Sequence, residues 1–324
     1  MTTQLNTPTT AIDAPAEVSP APRRRRSEVD DVRNERSIIS SMDRKVPLIR
    51  GAVAVAGVLV IAALVVTCAG PLFWLFKAAT STSTETLAAP FALWPSGLHW
   101  ENLVNAWTQV DFATYMRNTL LVCGGAWFFG LLVATTGGYG IAVLRPAYAK
   151  VVSAAVLATL FIPGVISLVA LYLTVIELPI FGVNLINTFW AVWLPASANA
   201  FNVLLVSRYL NTIPRDLFDA ARIDGAGQMR VFWSLVLPLA RPILGVLSLL
   251  TIIGAYKDFL WPLLVLPRPD LQPISVALPR IESTTDFAVL MAAMFISVLV
   301  PVLLFLAFQR QFLRAAGSAG AIKE

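Results

Sequence analysis

Ile213-Pro214-Arg215-Asp216-Leu217-Phe218-Asp219-Ala220-Ala221-Arg222-Ile223-Asp224-Gly225-Ala226 is a polar run set between two long apolar stretches, and no lipid-facing segment carries so many charges. Pro214 suits the first turn of a short helix, in which Leu217, Ala220 and Ala221 fall on one side while Arg215, Asp219 and Arg222 project elsewhere. Gly225 tolerates positive φ and so ends that helix. Phe232, Leu235, Leu237-Pro238 and Pro242 then lead back into apolar sequence. The spacing predicts a small helix, a tight turn and a second small helix over about 212–235, a shape that can dock into a groove on a soluble partner.

The surrounding composition is that of a membrane protein. Of 324 residues 57% are hydrophobic and 13% charged, with a mean hydropathy of +0.73, too apolar for a soluble globule of this length. Stretches free of Asp, Glu, Lys and Arg run over 51–76, 118–144, 151–176, 178–207 and 287–309. Each is at or above the roughly 20 residues that cross a bilayer as helix. A sixth, about 242–266, is interrupted only by Lys257 and Asp258. The sequence therefore predicts an all-α polytopic chain with six transmembrane helices, at about 51–76, 116–142, 151–176, 184–207, 239–266 and 287–310.

An even number of spans puts both termini on one side, and basic residues say which. Nineteen of the 24 Lys and Arg lie in the N-terminal tail and first flank, at Arg145 and Lys150, around the polar run, or at the C-terminal end. Only Lys77, Arg117, Arg268 and Arg280 lie opposite, and Lys257 sits within a span. By the positive-inside rule the termini and the 212–235 segment are expected in the cytoplasm of a multi-pass protein of the cell membrane.

Residues 1–46 differ in kind. Thr, Pro, Ala and Ser dominate up to Pro22, then Arg23 to Arg26 open a mixed-charge stretch with few apolar residues, so a disordered cytoplasmic tail is expected before a transmembrane domain over 47–324. The first apolar run starts after about fifty residues and is too long for the h-region of a secretory signal. The arginine run reads as a topology anchor with access to anionic lipid rather than as a nucleic-acid site.

Catalytic signatures are missing from the sequence. It has no Gly-x-x-x-x-Gly-Lys-Ser/Thr loop to cradle phosphates, so the chain is not expected to be an ATPase itself. Cys68 and Cys123 read as packing residues, and His99, the single histidine, has no metal-ligand companions. No catalytic residue, metal site or cofactor is expected in the chain.

Helix breakers interrupt the spans at Pro163-Gly164, Pro195, Pro262 and Pro301. Backbone freed by proline at membrane depth is tolerated against protein or beside a water-filled cavity. Gly124-Gly125 and Gly137-Gly138 would let helices approach closely. Lys257 and Asp258 cost about 2.5–3.5 kcal/mol each at the bilayer centre. They are expected to face a cavity or partner helix near the external end of their span, a position suggested by Trp261 and Pro267-Arg268-Pro269.

Asp219-Ala220-Ala221, three residues, Gly225 and the later Leu237-Pro238 resemble the cytoplasmic coupling motif of ABC importer permeases, with Asp219 where the family usually has Glu. The resemblance extends along most of the chain after the tail. Asn102-Leu103, Asn118-Thr119-Leu120, Phe201-Asn202 with Leu204, Arg208-Tyr209-Leu210, Phe259-Leu260-Trp261-Pro262-Leu263, Pro273 to Leu278 and Gln309 to Phe312 are similar to carbohydrate-uptake permeases of the maltose-transport type, specifically the second, six-span permease. One departure is Tyr256-Lys257-Asp258, where Trp-Asn-Asp or Trp-Asn-Glu is common.

The resemblance implies the type I importer permease fold, a homologous second permease as partner, an extracytoplasmic solute-binding protein, and an ATPase dimer that uses ATP and Mg while this chain binds no cofactor. It implies coupling residues Arg215, Asp219, Ala220, Ala221, Arg222, Asp224, Gly225 and Ala226. Candidate pathway residues are Asn202, Tyr256, Lys257, Asp258 and Trp261, facing a sugar or oligosaccharide held by hydroxyl hydrogen bonds and aromatic stacking. Within the same class a polyamine, phosphate or other small polar solute is the alternative. A secondary transporter would usually show inverted repeats and ionisable coupling sites, and a membrane enzyme would need convergent carboxylates or histidines at membrane depth.

Overall fold

A computed structural model describes residues 47–321, all of whose regular elements are helical. The tail expected over 1–46 lies outside the described residues. Contacts divide the chain into two units, Met1–Ala69 and Gly70–Glu324. The first, as described, is the N-terminal part of helix α1, Pro47–Ala79, whose apolar side chains from Val53 to Val66 are largely exposed.

In the second unit, short α2 (Ser83–Ala88) and α3 (Glu101–Gln109) lead to α4 (Phe112–Tyr139), which a π-turn extends to Leu144. Helices α5 (Ala149–Thr159), α6 (Gly164–Ile176), α7 (Trp190–Ser197) and α8 (Ala200–Leu210) follow. After α9 (Arg215–Ile223) and α10 (Gln228–Val231), a second π-turn enters α11 (Leu237–Lys257). The chain closes with α12 (Leu260–Val265), α13 (Ile274–Ile281) and α14 (Phe287–Ala321).

Among the described residues four segments are long and apolar enough to cross a membrane unaided: Gly51–Ala79, Phe112–Leu144, Gln228–Lys257 and Phe287–Gln309. Two bent pairs, α5 with α6 and α7 with α8, bring the number to six if each pair is one span.

The third expected span, 151–176, is not a straight rod: α5 and α6 meet at 107°. Pro163 has no N–H and pushes Ile162 out of the helical region, so the chain turns there and restarts at Gly164. With 11 and 13 residues the two halves reach only about 16 and 20 Å, each short of a bilayer core of about 30 Å. The fourth expected span, 184–207, is the second bent pair, α7 and α8, with a milder bend of 42° after Pro195. There Asn199 restarts the helix by accepting from the Asn202 N–H at 3.1 Å.

The fifth expected span, 239–266, also differs: α11 stops at Lys257, Asp258 is extended (ψ 122°), and α12 is a separate short helix. Pro262 is the reason, because a helix continuing through it would lose the bond to the Asp258 carbonyl and clash with it.

Helix α4 is the axis of the second unit and packs on α7, α8 and α11, while α14 lies on α11 and α3. Its glycines permit that approach. A Cβ added at Gly138 would stand 2.6 Å from Val206 Cγ1 and 3.0 Å from the Ser207 backbone nitrogen, and one at Gly125 would stand 2.1 Å from the Trp193 ring. Three buried clusters result. One gathers Phe112, Tyr115, Ile274 and Leu290, a second Tyr139, Leu210, Phe218 and Phe232, and a third Val122, Val175, Trp261 and Leu266.

Candidate functional site

Helix α9 ends in a Schellman turn. The Ala226 N–H donates to the Ala221 carbonyl at 2.9 Å and the Gly225 N–H to the Arg222 carbonyl at 3.0 Å, with Gly225 at φ +76°. This local chemistry accounts for small residues at 221 and 226: both are half-buried and pack against the second cluster, closing the turn on its apolar side. No atom lies within 4 Å of a Cβ added at Gly225, so its requirement for glycine comes from backbone conformation alone.

The orientation of α9 differs from the expected one. Phe218 is the buried residue, 5% exposed among Tyr139, Leu210 and Phe232, and Ala221 follows it inward. Leu217 and Ala220 face out, with Ile223 86% exposed at the tip. An aromatic side chain reaches the cluster where alanine cannot, and burying it rolls Leu217 to the outside. Arg222 donates to Asp219 at 3.0 Å on this exposed surface, and Arg215 and Asp224 are also exposed. The result is a short helix anchored at one aromatic point, offering an outward face of Leu217, Asp219, Ala220 and Ile223.

A cleft of about 780 Å³ opens between α4, α7, α8, α11 and α12. Asn202, Lys257, Asp258 and Trp261 all line it, and Asn199, Phe201, Thr251 and Phe259 add amide, hydroxyl and aromatic groups. Tyr256 does not: its ring packs toward the first cluster, and it borders a smaller pocket of about 380 Å³ beside α13 and α14. Lys257 borders both spaces. Among the described residues the ion pairs are His99–Glu101, Arg222–Asp219 and Arg268–Asp270, and neither Lys257 nor Asp258 takes part in one of them.

Around this break the prolines form a pattern. Proline frees the carbonyl four residues before it. The carbonyl freed by Pro195, on Ala191, accepts from Trp261 Nε1 at 2.9 Å. The one freed by Pro262, on Asp258, accepts from Ser275 Oγ at 2.7 Å, and the one freed by Pro301, on Ser297, accepts from Tyr256 Oη at 2.6 Å. Each orphan is satisfied by a side chain from another element, as backbone at membrane depth requires. Segment 256–261 is thereby tied to α7, α13 and α14, which holds Lys257 and Asp258 at the cleft rim. Neither Ser275 nor the bonding role of Tyr256 stands out in the sequence. The available signal was a proline four residues after each acceptor.

Several crossing helices around a cleft, with an anchored helix–turn–helix exposed beside them, define a polytopic transport permease. The chain matches the model of the "Binding-protein-dependent transport system inner membrane component" family over residues 126–317, more than half its length, and belongs to that family. It is 28% identical over 254 residues to the sn-glycerol-3-phosphate transport system permease protein UgpE of Yersinia pestis, covering 75% of this chain and 89% of the relative. It is 28% identical to the diacetylchitobiose uptake system permease protein NgcG of Streptomyces coelicolor, covering 76% and 81%, and 26% identical to the melibiose/raffinose/stachyose import permease protein MelC of Bacillus subtilis, covering 82% and 96%. The fold is similar to a chain from the crystal structure of a bacterial ABC transporter involved in import of the acidic polysaccharide alginate. There the TM-score is 0.72 at 18% identity, with 85% of this chain and 99% of that chain covered.

Proposed function

We propose that this permease forms half of the translocation path of an ATP-driven importer for a sugar or oligosaccharide. A homologous permease supplies the other half, an extracytoplasmic binding protein delivers solute, and a separate ATPase dimer binds ATP and Mg. The chain itself holds no cofactor and makes or breaks no covalent bond. Both termini and the α9–α10 segment lie in the cytoplasm, on the side that carries 19 of the 24 basic residues.

The observation that carries this reading is α9: amphipathic, pinned by Phe218 to the membrane-helix cluster, and otherwise projecting. A rigid-body push on its outer face passes through Phe218 to α4 and α8, the helices that wall the cleft. ATP-driven closure of the partner subunits would so switch the cleft between the two sides of the membrane. The cleft's mixture of Asn, Thr, Phe and Trp suits a polyhydroxylated solute, which presents hydroxyls at its edge and C–H groups on its face. Uptake of radiolabelled sugars by a strain lacking the gene, with and without complementation, tests the assignment: one sugar should stop accumulating, and normal uptake of every sugar would refute it.

A second reading within the same transporter class is a small phosphorylated polyol. It is favoured by the relative named for sn-glycerol-3-phosphate and by the ammonium of Lys257 at the cleft rim, which takes part in none of the ion pairs among the described residues. The same uptake panel separates the two.

A further inference from the structure

Beside the coupling segment lies a pocket that shares no lining residue with the cleft. It has a volume of about 660 Å³ between the end of the α4 π-turn, the 145–148 loop and the first two turns of α5. One end is polar: Arg145, Lys150, Ser153 and Asn211. The other is apolar: Ile141, Ala147, Ala154 and Leu157.

The Arg145 guanidinium is oriented in advance. Its Nε donates to the Ala142 carbonyl at 2.7 Å and its Nη2 to Asn211 Oδ1, which leaves Nη1 and one Nη2 hydrogen free. Its backbone is held at φ +47°, a left-handed conformation that costs about 1–2 kcal/mol for a residue with a Cβ. Lys150 is exposed and takes part in none of the ion pairs among the described residues, and no carboxylate lines the pocket. The half-buried Ser153 hydroxyl makes none of the side-chain hydrogen bonds within the described residues. Beyond the pocket α5 and the turn after it expose the apolar side chains of Val151, Leu160 and Phe161.

We propose that this pocket binds the headgroup of an anionic phospholipid, with Lys150, the free hydrogens of Arg145 and the Ser153 hydroxyl on the phosphate and the first acyl carbons along Ala154 and Leu157. Two cations in a lining that holds no acid attract an anion. The exposed apolar wall that continues from them along α5 favours a lipid over a free ion or an acidic protein segment. Arg145 also bonds Asn211, which caps α8 four residues before α9, so the bound lipid would sit against the base of the coupling helix. The proposal rests on the membrane placement given above, which puts α5 in the bilayer and decides which leaflet supplies the lipid.

Native mass spectrometry of the purified full-length chain titrated with phosphatidylglycerol or phosphatidylcholine tests it. Phosphatidylglycerol should be retained at least about tenfold more tightly. Lys150→Gln should weaken it about fivefold, the roughly 1 kcal/mol that one cation near an anionic surface contributes, and Leu157→Ser should weaken it too. Both positions are exposed, so neither variant threatens the fold. Replacing Arg23 to Arg26 by Gln should leave this binding in place. A preference unchanged by Lys150→Gln would overturn the proposal. So would displacement of the lipid by equimolar inorganic phosphate together with indifference to Leu157→Ser, which would make the ligand a free anion. A photo-crosslinker at exposed Tyr148 should label phosphatidylglycerol in membranes of the assembled transporter; labelling of a soluble subunit alone would assign the pocket to protein contact and overturn it as well.

Discussion

Gly225→Ala isolates the turn of the coupling helix with a single methyl group. At φ +76° an L-residue costs about 1–2 kcal/mol, a factor of about 5–30 against the native turn. A Cβ at this position meets nothing within 4 Å, so no steric term adds to it. Gly227 provides the matched control, since it lies two residues on, at φ −67°, also with open space around its Cβ. Gly227→Ala should therefore be nearly neutral, and Gly225→Asn milder than Gly225→Ala because Asn tolerates the left-handed region. Gly225→Pro should be worst of the four, as it removes the N–H bonded to Arg222 and demands φ near −65°. The assay is solute-stimulated ATP hydrolysis and uptake in proteoliposomes containing the assembled transporter, normalised to inserted permease. Stimulation should fall in the order Gly227→Ala, Gly225→Asn, Gly225→Ala, Gly225→Pro, with insertion unchanged. Equal stimulation in Gly225→Ala and Gly227→Ala would refute the role of the left-handed turn in coupling.

Asp219 lies exposed beside Arg222, so Asp219→Glu should retain transport and Asp219→Lys should abolish it; equal uptake by the lysine variant would show the carboxylate to be dispensable. At the cleft rim, Lys257→Met keeps the apolar stem and removes the charge, and it should lower uptake of the native solute while Lys257→Asn partly restores it; unchanged uptake in both would remove Lys257 from the pathway. Gly138→Ala should lower the thermal stability of the detergent-solubilised protein by about 1–3 kcal/mol through overpacking against Val206 and Ser207, whereas Gly124→Ala, with nothing within 4 Å, should not. Comparable melting temperatures for those two variants would count against the close approach of α4 and α8.

What was legible in the sequence is what local chemistry dictates. Charge-free runs of twenty or more residues announce helices at membrane depth regardless of what surrounds them, and the 213–226 run announces a helix stopped by Gly225, because a left-handed turn is a property of the residue that makes it. Proline breaks are equally local, so the interruptions at Pro163, Pro195 and Pro262 could be read in advance, whereas the one expected at Pro301 is absent: α14 runs through it unbroken, the carbonyl it frees taken up by Tyr256. The consequences of the breaks could not be read. Local sequence does not say that one break bends by 107° and the other by 42°, and the side chains that satisfy three of the freed carbonyls lie far along the chain: Trp261 for Ala191, Ser275 for Asp258, Tyr256 for Ser297. Facing was also undecided. In a helix that is apolar all round, periodicity has no polar side to mark, so only packing against α13 and α14 turns Tyr256 away from the cleft that Lys257 and Asp258 line. On α9 both Leu217 and Phe218 are apolar neighbours, and the cavity between Tyr139, Leu210 and Phe232 chooses the ring, leaving leucine for the outside.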